Sequence, residues 1–173
     1  TRACGFKVSR HEGKITGLAA YGDYGPYEEC FDELVSVSDG CLKYIKPIER
    51  STVNKVQNKL LGLIGSKKYM GAEELVRRCG DLSNKDLAAS IQKLLEKRIV
   101  ELVSYWVEKT GIKDVVLAGG VFANVKLNQC ISEIEGVDSV YIYPNMGDGG
   151  NAYGAAAYSY FRKNKYVVSE TTN

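Results

Sequence analysis

Histidine is almost missing from this chain: His11 stands alone among 173 residues. No cysteine lies at finger-like spacing from it, which argues against a zinc site of the Cys/His kind. Cysteine is present but unpatterned, and Cys4, Cys30, Cys41, Cys79 and Cys130 form no Cys-x-x-Cys pair. An odd, scattered set predicts reduced thiols in a cytoplasmic protein and argues against a disulfide framework. Cys130, in a helix-like segment, reads as a small buried thiol. An excess of one charge is lacking too, since 23 basic and 21 acidic residues leave a formal net charge of +2. That balance carries no signature of a nucleic-acid partner, and Lys67-Lys68 and Arg77-Arg78 read as solvated helix faces. No apolar run nears the roughly 20 residues of a membrane span, so no membrane partner is expected, and no signal-peptide pattern opens the chain. Thr1-Arg2-Ala3-Cys4, in place of a starting Met, predicts a piece of something longer.

What is there is glycine in two turns, Ala118-Gly119-Gly120-Val121-Phe122-Ala123-Asn124 and Asn145-Met146-Gly147-Asp148-Gly149-Gly150-Asn151. Each follows a strand-like apolar run and opens a helix-like one. The alternation predicts a strand over 114–117, a helix over 123–134, a strand over 139–143 and a helix over 152–161. Strand-helix-strand spacing of this length implies a mainly parallel sheet. Ahead of it, residues 14–21 read as a short helix stopped by Gly22, Tyr24-Gly25-Pro26 as a turn, and 27–34 as a second short helix. Val35-Ser36-Val37-Ser38 and Cys41-Leu42-Lys43-Tyr44-Ile45 flank Asp39-Gly40, a strong hairpin signal with a type I′ turn. Amphipathic helices are expected over 52–65 and 71–79. Ser83, with Asp86 three residues on, starts the longest helix, which Thr110-Gly111 ends. Its apolar face is Leu87, Ile91, Leu94, Leu95, Ile99, Leu102, Val103 and Trp106. The segment 24–82 reads as an insertion on an α/β core. Ala152, Gly154, Ala155 and Ala156 predict a small-residue helix face packed closely on a neighbour.

The glycine turns form the candidate site. Gly119-Gly120 leaves the carboxyl end of a buried-type strand, where ligands collect in open α/β sheets. Paired glycines admit a phosphate or adenosine without Cβ clash. The alternative is a tight connection with Asn124 as helix cap. This turn is neither Gly-x-Gly-x-x-Gly nor Gly-x4-Gly-Lys-Ser/Thr, which argues against a dinucleotide Rossmann fold and a P-loop. In the second turn Asp148 stands among Gly147, Gly149 and Gly150, able to reach a hard cation or to cap the helix behind it. Near the front, Glu12 and Lys14 flank Gly13 and suit a ribose hydroxyl and a phosphate, or else a surface ion pair. His11 offers a proton shuttle, but lacking a visible orienting partner it reads as structural.

Three segments match one family in order. Glu12-Gly13-Lys14-Ile15-Thr16-Gly17-Leu18-Ala19-Ala20-Tyr21-Gly22 resembles the EGKxxGLAxYG signature of NodU/CmcH-type O-carbamoyltransferases. Leu117 to Asn124 resembles their LAGGVxxN segment, and Tyr143 to Ala156 their P…GDxGxAxGAA segment. The resemblance implies a ribonuclease H-like, actin/hexokinase-type ATPase lobe over 1–163, with an inserted hairpin and short helices, and a flexible tail over 164–173. It also implies transfer of a carbamoyl group from carbamoyl-adenylate, made from carbamoyl phosphate and ATP, to a hydroxyl of a small-molecule acceptor. Gly119, Gly120, Val121, Asn124, Gly149 and Gly150 would line the nucleotide. Glu12 and Lys14 would reach it from the facing wall. Asp148 would be the aspartate ligand of a divalent metal (iron, manganese or magnesium), whose other ligands are two histidines of an HxxxH motif.

This chain has no HxxxH. The resemblance therefore makes the missing N-terminal lobe and the C-terminal adenylating module partners of the same polypeptide, and predicts that the fragment alone is inactive. Two rivals stay open: a sugar- or acetate-kinase-like phosphotransferase lobe, and a non-catalytic nucleotide-binding scaffold.

Overall fold

A computed structural model describes residues 1, 3–7, 10–44, 79–80 and 82–164. The helices expected over 52–65 and 71–79 (Cys79 excepted), the Lys67-Lys68 and Arg77-Arg78 pairs, and the tail beyond Asn164 lie outside the described residues. The fold is mixed α/β.

The axis of the molecule is a 27-residue helix, Asn84–Thr110 (α3 below), about 40 Å long at 1.5 Å per residue. The Ser83 hydroxyl accepts from the Asp86 N–H at 3.2 Å, as the capping spacing predicts, and Gly111 ends the helix with φ of 71°. Before α3 come helix α1 (Glu12–Ala19), a 3₁₀ turn at Gly25–Tyr27, helix α2 (Glu28–Asp32) and the hairpin of β1 (Val35–Ser38) and β2 (Cys41–Tyr44). The hairpin is antiparallel in the register Ser38↔Cys41, and Asp39 (φ 56°) with Gly40 (φ 68°) makes its type I′ turn. Trp106 fixes that turn to α3 by donating its indole N–H to the Gly40 carbonyl at 3.0 Å.

After α3 the chain forms β3 (Asp114–Leu117), a 3₁₀ turn (Gly120–Ala123), helix α4 (Val125–Ser132), β4 (Ser139–Ile142) and helix α5 (Gly150–Asn164). Strands β3 and β4 pair in parallel, Val116 opposite Tyr141 and Leu117 opposite Ile142. The first part of the helix expected from 123 is instead 3₁₀, because Asn124 caps a fresh helix with its side chain.

Two apolar clusters divide α3 between them. One buries Cys4, Phe31, Leu87 and Leu94; the other buries Leu117, Leu127 and Ile131 against Leu95, Ile99 and Val103. Each fully buried Leu or Ile contributes about 1.5–3 kcal/mol. The first cluster is also tied electrostatically. Arg98 donates to the Asp32 carboxylate at 3.1 Å and to its carbonyl at 2.9 Å, and Lys97 pairs with the same carboxylate.

Two expectations fail here. Cys30 and Cys79 are joined as a disulfide, whereas unpatterned spacing predicts reduced thiols; Cys4, Cys41 and Cys130 are free. Both bonded residues pack on the first cluster, which brings their Cα atoms to 5.9 Å, within bridging range. The second failure is the small-residue face of α5. No residue of that helix is buried, so Ala152, Gly154, Ala155 and Ala156 meet no neighbouring element among the described residues. The sequence pattern asks for a surface that these residues do not supply. Among the described residues no helix is long and apolar enough to cross a membrane.

Candidate functional site

The two glycine turns are held together by the strand ladder. Beyond β3 and β4, Tyr143 N–H donates to the Leu117 carbonyl at 3.0 Å, and Gly119 N–H to the Met146 carbonyl at 2.7 Å. The ladder thus runs past the strand ends and sets one turn beside the other at the carboxyl edge of the sheet.

The glycines divide by what a side chain would meet. A Cβ on Gly149 would fall 2.8 Å from the Asn145 amide, and one on Gly150 would overlap the Asn145 carbonyl. Gly150 is held to glycine by the Asn145 backbone, whereas the contact at Gly149 is with the movable end of the Asn145 side chain. A Cβ on Gly120 or Gly147 would meet nothing within 4 Å. Both line an open cavity of about 650 Å³, together with Gly119, Asp148, Gly150 and Tyr153. Nothing in the described chain requires glycine at 120 and 147.

Asp148 faces that cavity, and among the described residues its carboxylate makes no hydrogen bond or ion pair. It does not cap α5 with its side chain; its backbone carbonyl accepts from Asn151 N–H at 3.1 Å. Of the two roles read for Asp148, helix cap and ligand contact, the geometry leaves the second open. As a metal site, however, the cavity is incomplete. Among the described residues no three His, Cys, Asp or Glu side chains gather to hold an ion. One carboxylate beside the neutral amides of Asn145 and Asn151 falls short of the oxygen set a divalent cation needs.

Gly120 also borders a second cavity, of about 550 Å³, with Glu12, Gln92, Val121, Asn124 and Lys126 in its wall. Glu12 and the first glycine turn, distant in sequence, therefore do meet. Lys14 does not join them. Two residues on along a helix it projects to another side, and its ammonium lies over the Phe6 ring at 5.8 Å. The His11 Nδ1 accepts from Lys7 N–H at 3.3 Å and its ring meets Phe6 edge-on. Asn124 is the helix cap. Its Oδ1 accepts from Leu127 N–H at 3.1 Å and its Nδ2 donates to Gln92 Oε1 at 2.9 Å, which commits the amide.

Gln92 and Asn145 are the residues that motif reading passes over. Gln92 sits beside the apolar stripe of α3 and ties the first turn to that helix; Asn145 shapes the second turn. The only sequence signal for Gln92 is a polar residue next to Ile91 on a helix otherwise read for its core face.

Comparison with known proteins places the chain in a family. The family described as "Carbamoyltransferase N-terminus" matches residues 1–157, and the chain belongs to it. The protein MJ1058 of Methanocaldococcus jannaschii is 33% identical over 90% of this chain and 23% of its own length. The nodulation protein NolNO of Sinorhizobium fredii is 29% identical over 84% of this chain and 19% of its own length. A tRNA N6-adenosine threonylcarbamoyltransferase of Lacticaseibacillus casei is 33% identical over 54% of this chain and 29% of its own length. The chain thus spans about a fifth to a quarter of the first two relatives.

Proposed function

We propose that this chain is the C-terminal half of an actin/hexokinase-like ATPase domain in an O-carbamoyltransferase. In this reading the cavity between the glycine turns receives the nucleotide part of carbamoyl-adenylate. The observation that carries it is the pair of glycines, Gly120 and Gly147, that face this cavity without any need from the protein's own packing.

Gly120 and Val121 open a 3₁₀ turn, so their N–H groups lack partners within it and suit phosphate oxygens. Gly119, with φ of 120°, sets the direction of that turn. Asn124 is assigned the part of holding it, through Gln92, and Gly149 and Gly150 that of shaping the facing one. Glu12 would reach the ribose from the adjoining cavity; Lys14 would need to leave the Phe6 ring to reach a phosphate. Asp148 would lend one oxygen ligand to a divalent cation, the others coming from elsewhere in the polypeptide. In the transfer, the acceptor hydroxyl oxygen bonds the carbamoyl carbon, the bond to the AMP oxygen breaks, and the hydroxyl proton is released. Support for an acyl of this type comes from the relative named for threonylcarbamoyl transfer to adenosine in tRNA.

The test uses the full-length polypeptide with ATP, carbamoyl phosphate and a divalent metal, read by mass spectrometry. Carbamoyl-adenylate, then AMP on adding an acceptor, is expected. ADP with a phosphorylated acceptor would overturn the reading in favour of a kinase-like phosphotransferase; no turnover with metal supplied would overturn it in favour of a scaffold.

A further inference from the structure

The first glycine turn is held by a chain of side chains that begins outside every motif. Gln92 and Glu96 stand four residues apart on α3, hence on one face of it, and both are half-buried. Gln92 Nε2 donates to Glu96 Oε1 at 2.7 Å. The other side of the Gln92 amide meets Asn124. Its Oε1 accepts from Asn124 Nδ2 at 2.9 Å and its Nε2 reaches Asn124 Oδ1 at 3.3 Å, so the two amides close a ring of two hydrogen bonds. Beyond the ring, Asn124 Oδ1 accepts from Leu127 N–H as the cap of α4.

Such a ring is indifferent to its own direction, because both amides can turn over together and lose neither bond. The groups at its two ends decide. The Glu96 carboxylate accepts, so it requires the nitrogen of Gln92 on its side; Leu127 N–H donates, so it requires the oxygen of Asn124. The two demands agree, and the bond at the Glu96 end is the stronger for being made to a charged group. Asn124 passes the choice on to the turn. Its backbone N–H closes the 3₁₀ turn on the Val121 carbonyl at 3.1 Å while its side chain starts α4. Asn128 fastens the same turn from α4, donating from Nδ2 to the Phe122 carbonyl at 2.8 Å.

We infer that Glu96 is a positioning residue of the first glycine turn. Acting through Gln92 and Asn124, it holds Gly120 and Val121 where their N–H groups meet a phosphate oxygen of the nucleotide. The ligand in this inference rests on the function proposed above; the hold on the turn does not.

The test uses the full-length polypeptide with AMP as the probe, read by calorimetry, beside hydrogen exchange resolved at Leu127 N–H. Glu96→Ala is expected to weaken AMP binding about tenfold, the scale of one hydrogen bond to a charged group, and to speed exchange at Leu127 by about as much. Glu96→Gln keeps an oxygen that accepts from Gln92, and is expected to restore both to within about threefold. A Glu96 that served stability alone would lower the melting temperature of the Ala variant and leave AMP affinity and Leu127 exchange as they were. That result would overturn the inference, as would a Gln variant no better than the Ala one. If the unaltered protein bound no AMP, only the functional reading would fall, and exchange at Leu127 across the two variants would still decide whether Glu96 positions the turn.

Discussion

The two clusters on α3 are built from similar residues and finished differently. Around Phe31 the chain wraps its apolar groups on several sides, with α1, α2 and the hairpin against one helix, a disulfide from Cys30 to Cys79, and ion pairs from Asp32 to Lys97 and Arg98. Around Leu127, among the described residues, the cover stops at one face of a two-stranded sheet, and no residue of α5 is buried. Among the described residues both glycine turns lie on the rim of the open cluster. A surface that receives a ligand is not closed by its own side chains, so under the proposed function the candidate site and the less covered cluster fall together.

Core truncation should separate the halves most strongly. Phe31→Ala, at a site closed on all sides, is expected to cost about 3–5 kcal/mol in urea unfolding. Leu127→Ala is expected near the low end of its usual range, about 2 kcal/mol, because an open sheet can relax toward the void. Equal losses, corrected for residue type, would break the comparison. Next in size is the disulfide. Closing a loop with 49 residues of sequence separation, its removal by Cys79→Ser should cost about 2–4 kcal/mol, seen as a lower urea midpoint that reductant no longer shifts. An unchanged midpoint would mean that the first cluster needs no clamp.

How much of this was legible beforehand depended on the range of the forces involved. The hairpin at Asp39-Gly40, the Ser83 cap, the Gly111 stop and the strands of the parallel pair are local matters, decided within a few residues, and each was read to within about two positions. The carboxyl-edge location of the glycine turns follows from that alternation. The Cys30–Cys79 bond was not legible, because it depends on two distant segments packing on Phe31. Nor could spacing show why Gly150 is glycine: three glycines near an aspartate suggest a ligand, yet this one answers to the Asn145 carbonyl. The small face of α5 predicts close packing on a neighbour, yet among the described residues no residue of that helix is buried.

The smallest expected effects concern two aspartates near helix starts, and they test whether a carboxylate serves the fold or is left for something else. Asp86 is in use: its Oδ1 accepts from Asp23 N–H at 2.8 Å and its Oδ2 from the Ser83 hydroxyl at 2.7 Å. Those bonds, the one from Asp23 first, hold its carboxyl below the ordinary carboxylate range. A folded-state pKa below the unfolded one gives a stabilisation that is complete above the unfolded value, near about 3.9, and lost as the pH falls through the folded one. Asp86→Asn should therefore lower the melting temperature slightly at pH 7, by an amount that shrinks as the pH drops below about 4. Asp148 has no such partners among the described residues, and Asp148→Asn should leave the melting temperature unchanged at pH 7. A loss at Asp148 that matched the one at Asp86 would return it to the role of helix cap, and the open half of the molecule would then keep no carboxylate in reserve at its glycine turns.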